Sequence, residues 1–185
     1  SNANRSVGFD YSYEMLSRAA QRQSDILSFK HLDLITEDVP GEYNIAISKR
    51  FAINLGDWSI QSNCISKIAK VILPGGLFFL LECYKQGFDT LNSHRNMVGL
   101  PSLDEPYHNS YLDFEKTVKL LNESFTIIEM VDFSTYFYFT RCLSPCLVDD
   151  KAFDLDEKMR LISEADDILQ GSGIGPQKLI CLKKK

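Results

Sequence analysis

The sequence predicts an α/β protein with a doubly wound sheet. Segments with the apolar patterning of strands alternate along the chain with segments whose apolar residues recur at helical spacing. The continuous apolar run Ile45-Ala46-Ile47 is typical of a parallel strand that is covered on both faces. Together these two observations favour an open, largely parallel sheet with helices on its faces.

The first part of the chain alternates strand and helix. Ser6–Asp10 is a short apolar run that ends in an acid, and it predicts the first strand of this chain. Ser12 is a suitable N-cap for the amphipathic helix that follows. Residues 26–34 and 43–48 predict the second and third strands.

A longer amphipathic helix is predicted from about Asp57, because apolar residues recur at helical spacing as far as Ile72. Pro74-Gly75-Gly76 is predicted to end this helix and to lead into a fourth strand over residues 77–81. Glu82 closes that strand.

Two later segments, residues 83–111 and 132–153, have no sustained period, and we interpret them as excursions on the substrate side of a single domain. The remaining predicted elements are a helix over 114–121, a strand over 125–131, a helix over 155–165, a glycine-containing turn over 171–175 and a last strand over 178–182.

Composition excludes several classes of protein. The 185 residues are one domain's worth of chain, and 44% hydrophobic with 24% charged excludes disordered and low-complexity classes. A formal charge of −5 offers no electrostatic footprint for a phosphate backbone, so we expect no nucleic-acid partner.

The five cysteines are odd in number and scattered, with no signal peptide ahead of them, which favours the reducing cytoplasm. The longest apolar run, over residues 71–83, is interrupted and too short to cross a bilayer, so no membrane association is expected. Residues 1–3 are interpreted as the remnant of an expression tag, which leaves 4–185 for the domain.

Polar side chains lie at the carboxyl ends of four predicted strands. These are Asp10, Asp33, Ser48 with its neighbours, and Glu82. Ligands bind at the carboxyl ends of strands in open α/β sheets. An acid such as Asp10 can accept hydrogen bonds from both hydroxyls of a ribose. The same acid can instead cap the following helix, and the sequence leaves both readings open.

Four segments in this order and at these intervals resemble the class I S-adenosylmethionine-dependent methyltransferases. They are residues 7–19, Leu32-Asp33-Leu34, residues 43–48, and residues 68–76 with their Leu-Pro-Gly-Gly turn. The resemblance covers nearly the whole chain. It implies a Rossmann-like, mostly parallel sheet with an antiparallel C-terminal strand, and S-adenosylmethionine as the cofactor.

The resemblance also implies roles for individual residues on the adenosine side. Asp10 would bond the ribose, with Tyr11 and Met15 beside the adenine. Asp33 would bond the adenine amino group, and Leu34 would pack on the ring face. Met15 and Leu34 are also ordinary apolar core positions.

On the other side, Ser48, Lys49 and Arg50 would line the methionine end of the cofactor and the mouth of the substrate site. Residues 50–55, 82–87, 108–111 and 175–179 are further similar to a bacterial subgroup of small-molecule methyltransferases associated with cell-surface polysaccharide synthesis. The acceptor would then be a small molecule, methylated on oxygen or nitrogen.

Methyl transfer to a hydroxyl needs a base, and His108 is the first candidate because its ordinary pKa lies near neutrality. Glu82 is the second. Arg50 and Arg95 are candidates to clamp an anionic group of the acceptor. The substrate-binding set is completed by Asn92, Asn109 and Tyr111. A lone histidine beside an asparagine can equally be structural.

Other readings of the chain are a methyltransferase-like interaction module without catalysis and a nucleotide-binding Rossmann-like oxidoreductase. The short-chain dehydrogenase form of the latter lacks a tyrosine followed four positions later by lysine. Cys142 and Cys146 have no second pair for a structural zinc, and no metal site is expected.

The resembled family carries a strand and a glycine-rich loop about 20 residues before the ribose-binding acid. Here that acid is residue 10, so we expect the first strand to be missing and cofactor binding to be impaired in this truncated domain. One hypothesis is that the two strands that flank the gap pair directly with each other, or that a second copy supplies the missing pairing, which predicts a homodimer.

Overall fold

A computed structural model of the chain describes residues 4–147, 153–165 and 168–185. The chain divides into two compact units, one that ends at Gly41 and one from Glu42 to Lys185. The first unit carries a single β–α–β motif, and the second carries the remaining strands and helices.

In the first unit, β1 (Ser6–Asp10) pairs in parallel with β2 (Leu27–His31), and α1 (Tyr13–Ala20) connects them. The hydroxyl oxygen of Ser12 accepts the amide proton of Met15 at 3.3 Å, which is the geometry of an N-cap. The predicted strand, helix and second strand are therefore confirmed, although the second strand ends at His31 and the predicted end at Leu34 is wrong.

The second unit is built on a four-stranded sheet. Its strands in chain order are β3 (Tyr43–Lys49), β4 (Ile72–Cys83), β5 (Phe125–Asp132) and β6 (Gln177–Lys184). Across the sheet the order is β3-β4-β6-β5, with β3 parallel to β4 and β6 antiparallel to both of its neighbours. The predicted mixed α/β sheet with an antiparallel C-terminal strand is confirmed.

The helices of this unit are α2 (Trp58–Lys70), α3 (Lys85–Met97), α4 (Phe114–Ser124), α5 (Ser134–Tyr138), α6 (Ser144–Leu147) and α7 (Phe153–Ala165). Carboxylates cap two of them, since Asp57 accepts from the Ile60 amide and Asp113 from the Lys116 amide. Among the helices that the structure describes, none is long and apolar enough to cross a bilayer.

The main core lies on one face of the four-stranded sheet. Burying this cluster supplies the hydrophobic stabilisation that keeps the strand ends in place. The members that are at most 2% exposed are Ala52, Ile53, Ile65, Phe78, Leu80, Tyr84, Leu112, Leu121, Phe125, Ile180 and Leu182.

The boundary between α2 and β4 differs from the prediction. The helix ends at Lys70, and both Ile72 and the Pro74-Gly75-Gly76 turn belong to β4. Ile72 pairs with Tyr43, and the register then shifts before Ile45 meets Leu77. This irregularity accommodates a proline, which cannot donate to the ladder, inside a continuous strand.

The segment predicted as an irregular excursion from residue 83 instead contains helix α3. Its buried face consists of Gly87, Phe88, Leu91 and Arg95, which recur at helical spacing. The pattern was missed because a glycine and an arginine occupy two of the inward positions. Residues 134–147 are also helical, with a π-helical turn over Phe139–Leu143 between α5 and α6. Residues 148–152 of the second predicted excursion lie outside the described part.

The glycine-containing turn after residue 170 is organised around Asp132, at the end of β5. Its carboxylate accepts the amide protons of Gly171 at 3.1 Å and Gly173 at 3.3 Å, and it lies 3.5 Å from the Lys178 ammonium nitrogen. Burial alone raises the pKa of Asp132, but hydrogen bonds from Ser134 and the charge of Lys178 act more strongly together, so its pKa is lowered.

We expect Asp132→Asn to weaken the acid sensitivity of the fold. Because the folded-state pKa is lowered, the carboxylate stabilises the chain above its unfolded pKa of about 3.9 and loses this contribution as pH falls through the folded value. Urea midpoints at pH 7, 5, 4 and 3 should therefore fall more steeply for the wild type than for Asp132→Asn. Parallel pH profiles of the two proteins would show that Asp132 is not linked to folding.

Candidate functional site

The carboxylate of Asp10 lies at the carboxyl end of β1, and one of its two oxygens accepts a hydrogen bond from the protein. One oxygen of Asp10 accepts the amide proton of Ser12 at 2.8 Å. Within the described part of the chain, the other oxygen has no hydrogen-bond partner, and the residue is exposed. The turn thus fixes the orientation of the carboxylate and leaves an acceptor for an outside donor.

A small cleft of about 180 Å³ adjoins Asp10 in the first unit. It is lined by Gly8, Phe9, Asp10, Met15, Leu16, Ala19 and Phe29. Pockets that enclose whole drug-sized ligands measure about 300–1,000 Å³, so this cleft has room for one part of a nucleoside. The structure therefore brings the predicted residues Asp10 and Met15 together, while Tyr11 is 70% exposed.

Asp33 follows β2 and organises its own turn. One carboxylate oxygen accepts from the Ile35 amide at 3.0 Å and the other from the Thr36 hydroxyl at 3.1 Å. Leu34 beside it is 7% exposed. Each carboxylate oxygen retains a second lone pair, and the predicted adenine contacts of Asp33 and Leu34 stay predictions.

In the second unit, the chain turns sharply after β3 around a buried carboxylate. Glu82, which is 0% exposed at the end of β4, accepts the amide protons of Phe51 and Ala52 at 2.9 Å and of Ile53 at 3.4 Å. The hydroxyl of Ser48 lies 3.5 Å from the same carboxylate. We call this arrangement the Glu82 cradle.

Burial raises the pKa of Glu82, while the amide donors and the Ser48 hydroxyl act in the opposite direction. The cradle occupies the start of a short 3₁₀ helix, Ala52–Asn54, whose first amide groups have no partner within the helix. Glu82 therefore satisfies these donors. The predicted role of Glu82 as a base stays a prediction.

Arg50 precedes the cradle in an unusual backbone conformation. Its φ of 50° lies in the left-handed region, which residues other than glycine seldom adopt. Its amide donates to the carbonyl of Leu81 at 2.8 Å, and its carbonyl accepts from the Asn54 side chain at 2.7 Å. The backbone is thus held on both sides while the Arg50 residue itself is exposed.

A group of polar side chains surrounds the same strand ends. Burial raises the pKa of the Cys83 thiol to about 11 and that of the Tyr111 hydroxyl to about 12, and the charge of Arg50 opposes both shifts. The Lys85 ammonium lies 2.8 Å from a Glu105 carboxylate oxygen. The structure thus brings the predicted residues Arg50 and Tyr111 together with three residues that sequence analysis assigned no role.

A strand-end rule could have found Cys83 and Lys85, because Cys83 is the last residue of β4 and Lys85 lies two positions later. Glu105 lies twenty positions further along, and no spacing pattern connects it to Lys85. Tyr111 packs edge-on against Phe88 of α3, with ring centroids 5.2 Å apart. That aromatic pair also depends on a helix that the sequence did not predict.

Asn92 and Arg95 hold the loop after α3. The Asn92 side chain donates to the Leu103 carbonyl and accepts from its amide at 3.0 and 2.8 Å. The guanidinium of Arg95 is 6% exposed and donates to the carbonyls of Pro101 and Arg141. Both side chains thus hold other segments of the same chain. Their contacts with a substrate stay predictions.

The segment with the predicted base is anchored beside the cradle. The Ser110 amide donates to the Ile53 carbonyl at 2.7 Å, and the buried Gln61 side chain donates to the Ser110 carbonyl at 2.8 Å. His108 is exposed. Both side-chain amide atoms of Asn109 are buried without a hydrogen-bond partner among the described residues. Over residues 4–147, 153–165 and 168–185, no cluster suited to a metal ion occurs.

Comparison by sequence finds no matching family model and no matching curated protein. Comparison of folds finds an S-adenosylmethionine-dependent methyltransferase from Mesorhizobium loti at TM-score 0.61 and 16% identity, which covers 98% of this chain and 81% of the other. The N-methyltransferase NodS from Bradyrhizobium japonicum WM9, in complex with S-adenosyl-L-homocysteine, matches at TM-score 0.53 and 14% identity over 97% of this chain.

The [4+2]-cyclase SpnF also matches, at TM-score 0.60 and 15% identity, over 99% of this chain and 68% of its own. This chain spans 66% of NodS, which is just under two thirds of its length. At these identities the likeness shows the fold alone. The chain has the fold of the class I methyltransferases, and that fold also carries at least one protein described as a cyclase.

Proposed function

We propose that this chain carries out S-adenosylmethionine-dependent methyl transfer to a small-molecule acceptor. The observation that carries the proposal is the methyltransferase fold, matched over 97% of the chain by a protein solved with S-adenosyl-L-homocysteine. The ordered resemblance in sequence supports the same reaction. The cyclase of the same fold is the reason that the reaction needs a direct test.

The residues at the end of β1 fit the adenosine part of the cofactor. Asp10 keeps one carboxylate oxygen available, and a ribose hydroxyl is a donor of the right kind for it. The adjoining cleft reaches Met15, which we assign to the adenine together with Tyr11, Asp33 and Leu34. When bound, the cofactor supplies an electrophilic methyl group on a sulfonium.

The residues at the ends of β3 and β4 fit the reacting side. We assign Ser48 and Arg50 to the methionine end and the acceptor mouth, with Tyr111 orienting the acceptor. For a hydroxyl acceptor, the imidazole of His108 would take the proton that the oxygen loses. An anionic group on the acceptor would pair with Arg50.

The acceptor class that we favour is a sugar or another precursor of cell-surface polysaccharide, methylated on oxygen or nitrogen, on the strength of the subgroup resemblance. We place the reaction in the cytoplasm, and the five cysteines, none of which forms a disulfide within the described residues, agree with a reducing compartment. We also propose a homodimer. Within the described residues β1 pairs with β2 alone and β3 with β4 alone, so each has one open edge.

Binding of S-adenosyl-L-homocysteine tests the proposal through Asp10. We expect Asp10→Asn to weaken this binding about 10- to 100-fold, because charge-assisted hydrogen bonds of about 1.5–3 kcal/mol each are lost. Asparagine keeps an oxygen for the Ser12 amide, so the turn survives. The measurement is titration calorimetry, or ligand-observed NMR where binding is weak.

Asp25→Asn, an exposed acid in the same unit, is the matched control and should bind as the wild type does. Equal binding by Asp10→Asn and Asp25→Asn would remove Asp10 from the site. A wild-type chain that binds NADH instead would favour the oxidoreductase reading. A chain that binds neither ligand, even weakly by ligand-observed NMR, would favour the interaction module.

A further inference from the structure

The Glu82 cradle joins two strand ends through one buried side chain. Three consecutive amide groups, from Phe51 to Ile53, point at the carboxylate, and they lie about thirty residues before it in the chain. Consecutive backbone N–H groups form concave sites that bind anions, including carboxylates of ligands. Here the anion is supplied by the protein itself, so these donors are engaged before any ligand arrives.

The cradle also accounts for the conformation of Arg50. A left-handed arginine persists only where the surrounding structure over-determines the backbone. The Leu81 carbonyl fixes the amide of Arg50, and the next three amides are fixed by Glu82. Removal of the carboxylate would release the following three amides and with them one of the restraints on Arg50, while the hydrogen bonds with Leu81 and Asn54 would remain.

From this geometry we infer that Glu82 is a positioning residue, which holds the turn from Ser48 to Ile53 so that Ser48 and Arg50 meet the amino-acid end of the cofactor. The inference rests on the proposed function for the identity of that ligand. It gives Glu82 a different role from that of a base, because a side chain that is 0% exposed and already accepts three amide protons is poorly placed to take one from an acceptor.

The first test observes the cradle without any ligand. In the wild type, NMR-detected hydrogen exchange of the Phe51, Ala52 and Ile53 amides should be slow. Glu82→Gln, which replaces one acceptor oxygen by an amide group, should speed their exchange about tenfold or more. Exchange of the β4 amides that pair with β6 should stay unchanged. Glu115→Gln, an exposed acid on α4, is the matched control.

The second test compares two ligands that differ only at the amino-acid end. S-adenosyl-L-homocysteine carries that end, and 5′-methylthioadenosine lacks it. We expect Glu82→Gln to weaken binding of the first about tenfold and to change binding of the second by less than about twofold, in calorimetry. If Glu82→Gln does not fold, Glu82→Asp keeps the charge, withdraws it by one methylene group and should show both effects in reduced size.

Unchanged exchange at residues 51–53 in both variants would overturn the inference. Equal weakening of both ligands would also overturn it, because a general loss of structure would then explain the result. If the wild type binds neither ligand, the proposed function fails, whereas the exchange measurement still decides whether Glu82 holds the turn.

Discussion

Gly87→Ala is expected to destabilise the second unit by about 3 kcal/mol or more. A Cβ atom on Gly87 would overlap the backbone carbonyl of Gly175, and Gly173 lies close behind it. Neither carbonyl can rotate away as a side chain can. The amide of Gly175 also donates to the carbonyl of Gly87 at 2.9 Å, and that bond would be lost when the two segments separate.

Differential scanning calorimetry and urea denaturation measure this loss. Gly99→Ala is the control, because Gly99 has a positive φ, but no atom of the described residues other than its chain neighbours lies within 4 Å of the position that an added Cβ would occupy. Only the strain of a left-handed alanine, about 1 kcal/mol, is expected there. If both variants lose the same stability, backbone strain rather than the contact with Gly175 explains the effect at Gly87.

Arg95→Met is expected to destabilise the same unit by about 2–4 kcal/mol. Methionine fills much of the same space but leaves the carbonyls of Pro101 and Arg141 without their donor, and hydrogen bonds to a charged group contribute about 1.5–3 kcal/mol each. The loss can be as small as the lower end of this range because the substitution also removes the free-energy cost of burying a charge.

Arg160→Met is the matched control in the same unit, because Arg160 makes exposed ion pairs with Glu157 and Glu164 on α7, and such pairs contribute little to stability. Urea midpoints compare the two variants, and hydrogen exchange over residues 98–103 locates the change. If Arg95→Met is as stable as Arg160→Met, the buried guanidinium contributes nothing net to the fold.

The strands and four helices, α1, α2, α4 and α7, were predictable because their apolar residues follow the period of the element. α3 was not, since Arg95 and Gly87 occupy inward positions whose partners lie in distant loops. The start of β4 was misplaced because a Pro-Gly-Gly turn normally ends a helix, and only the pairing of Ile72 with Tyr43 shows that the strand begins before it.

For the candidate site, the rule that ligands bind at strand ends led to Asp10, Ser48, Arg50 and Glu82. The rule locates polar groups but does not reveal which of them the protein itself engages. The hydrogen bonds that engage Glu82 come from residues 51–53, and no local pattern links those positions to a carboxylate thirty residues later.

Because the chain is divided into two units, a spectroscopic signal from one unit reports the unfolding of that unit only. The chain has one tryptophan, Trp58, at the start of α2 in the unit from Glu42 to Lys185. Tryptophan fluorescence, excited at a wavelength where tyrosine does not absorb, therefore follows the unit that contains Gly87 and Arg95, and it does not report on the unit that contains Asp10. A transition seen by fluorescence is evidence for the whole chain only if circular dichroism gives the same midpoint.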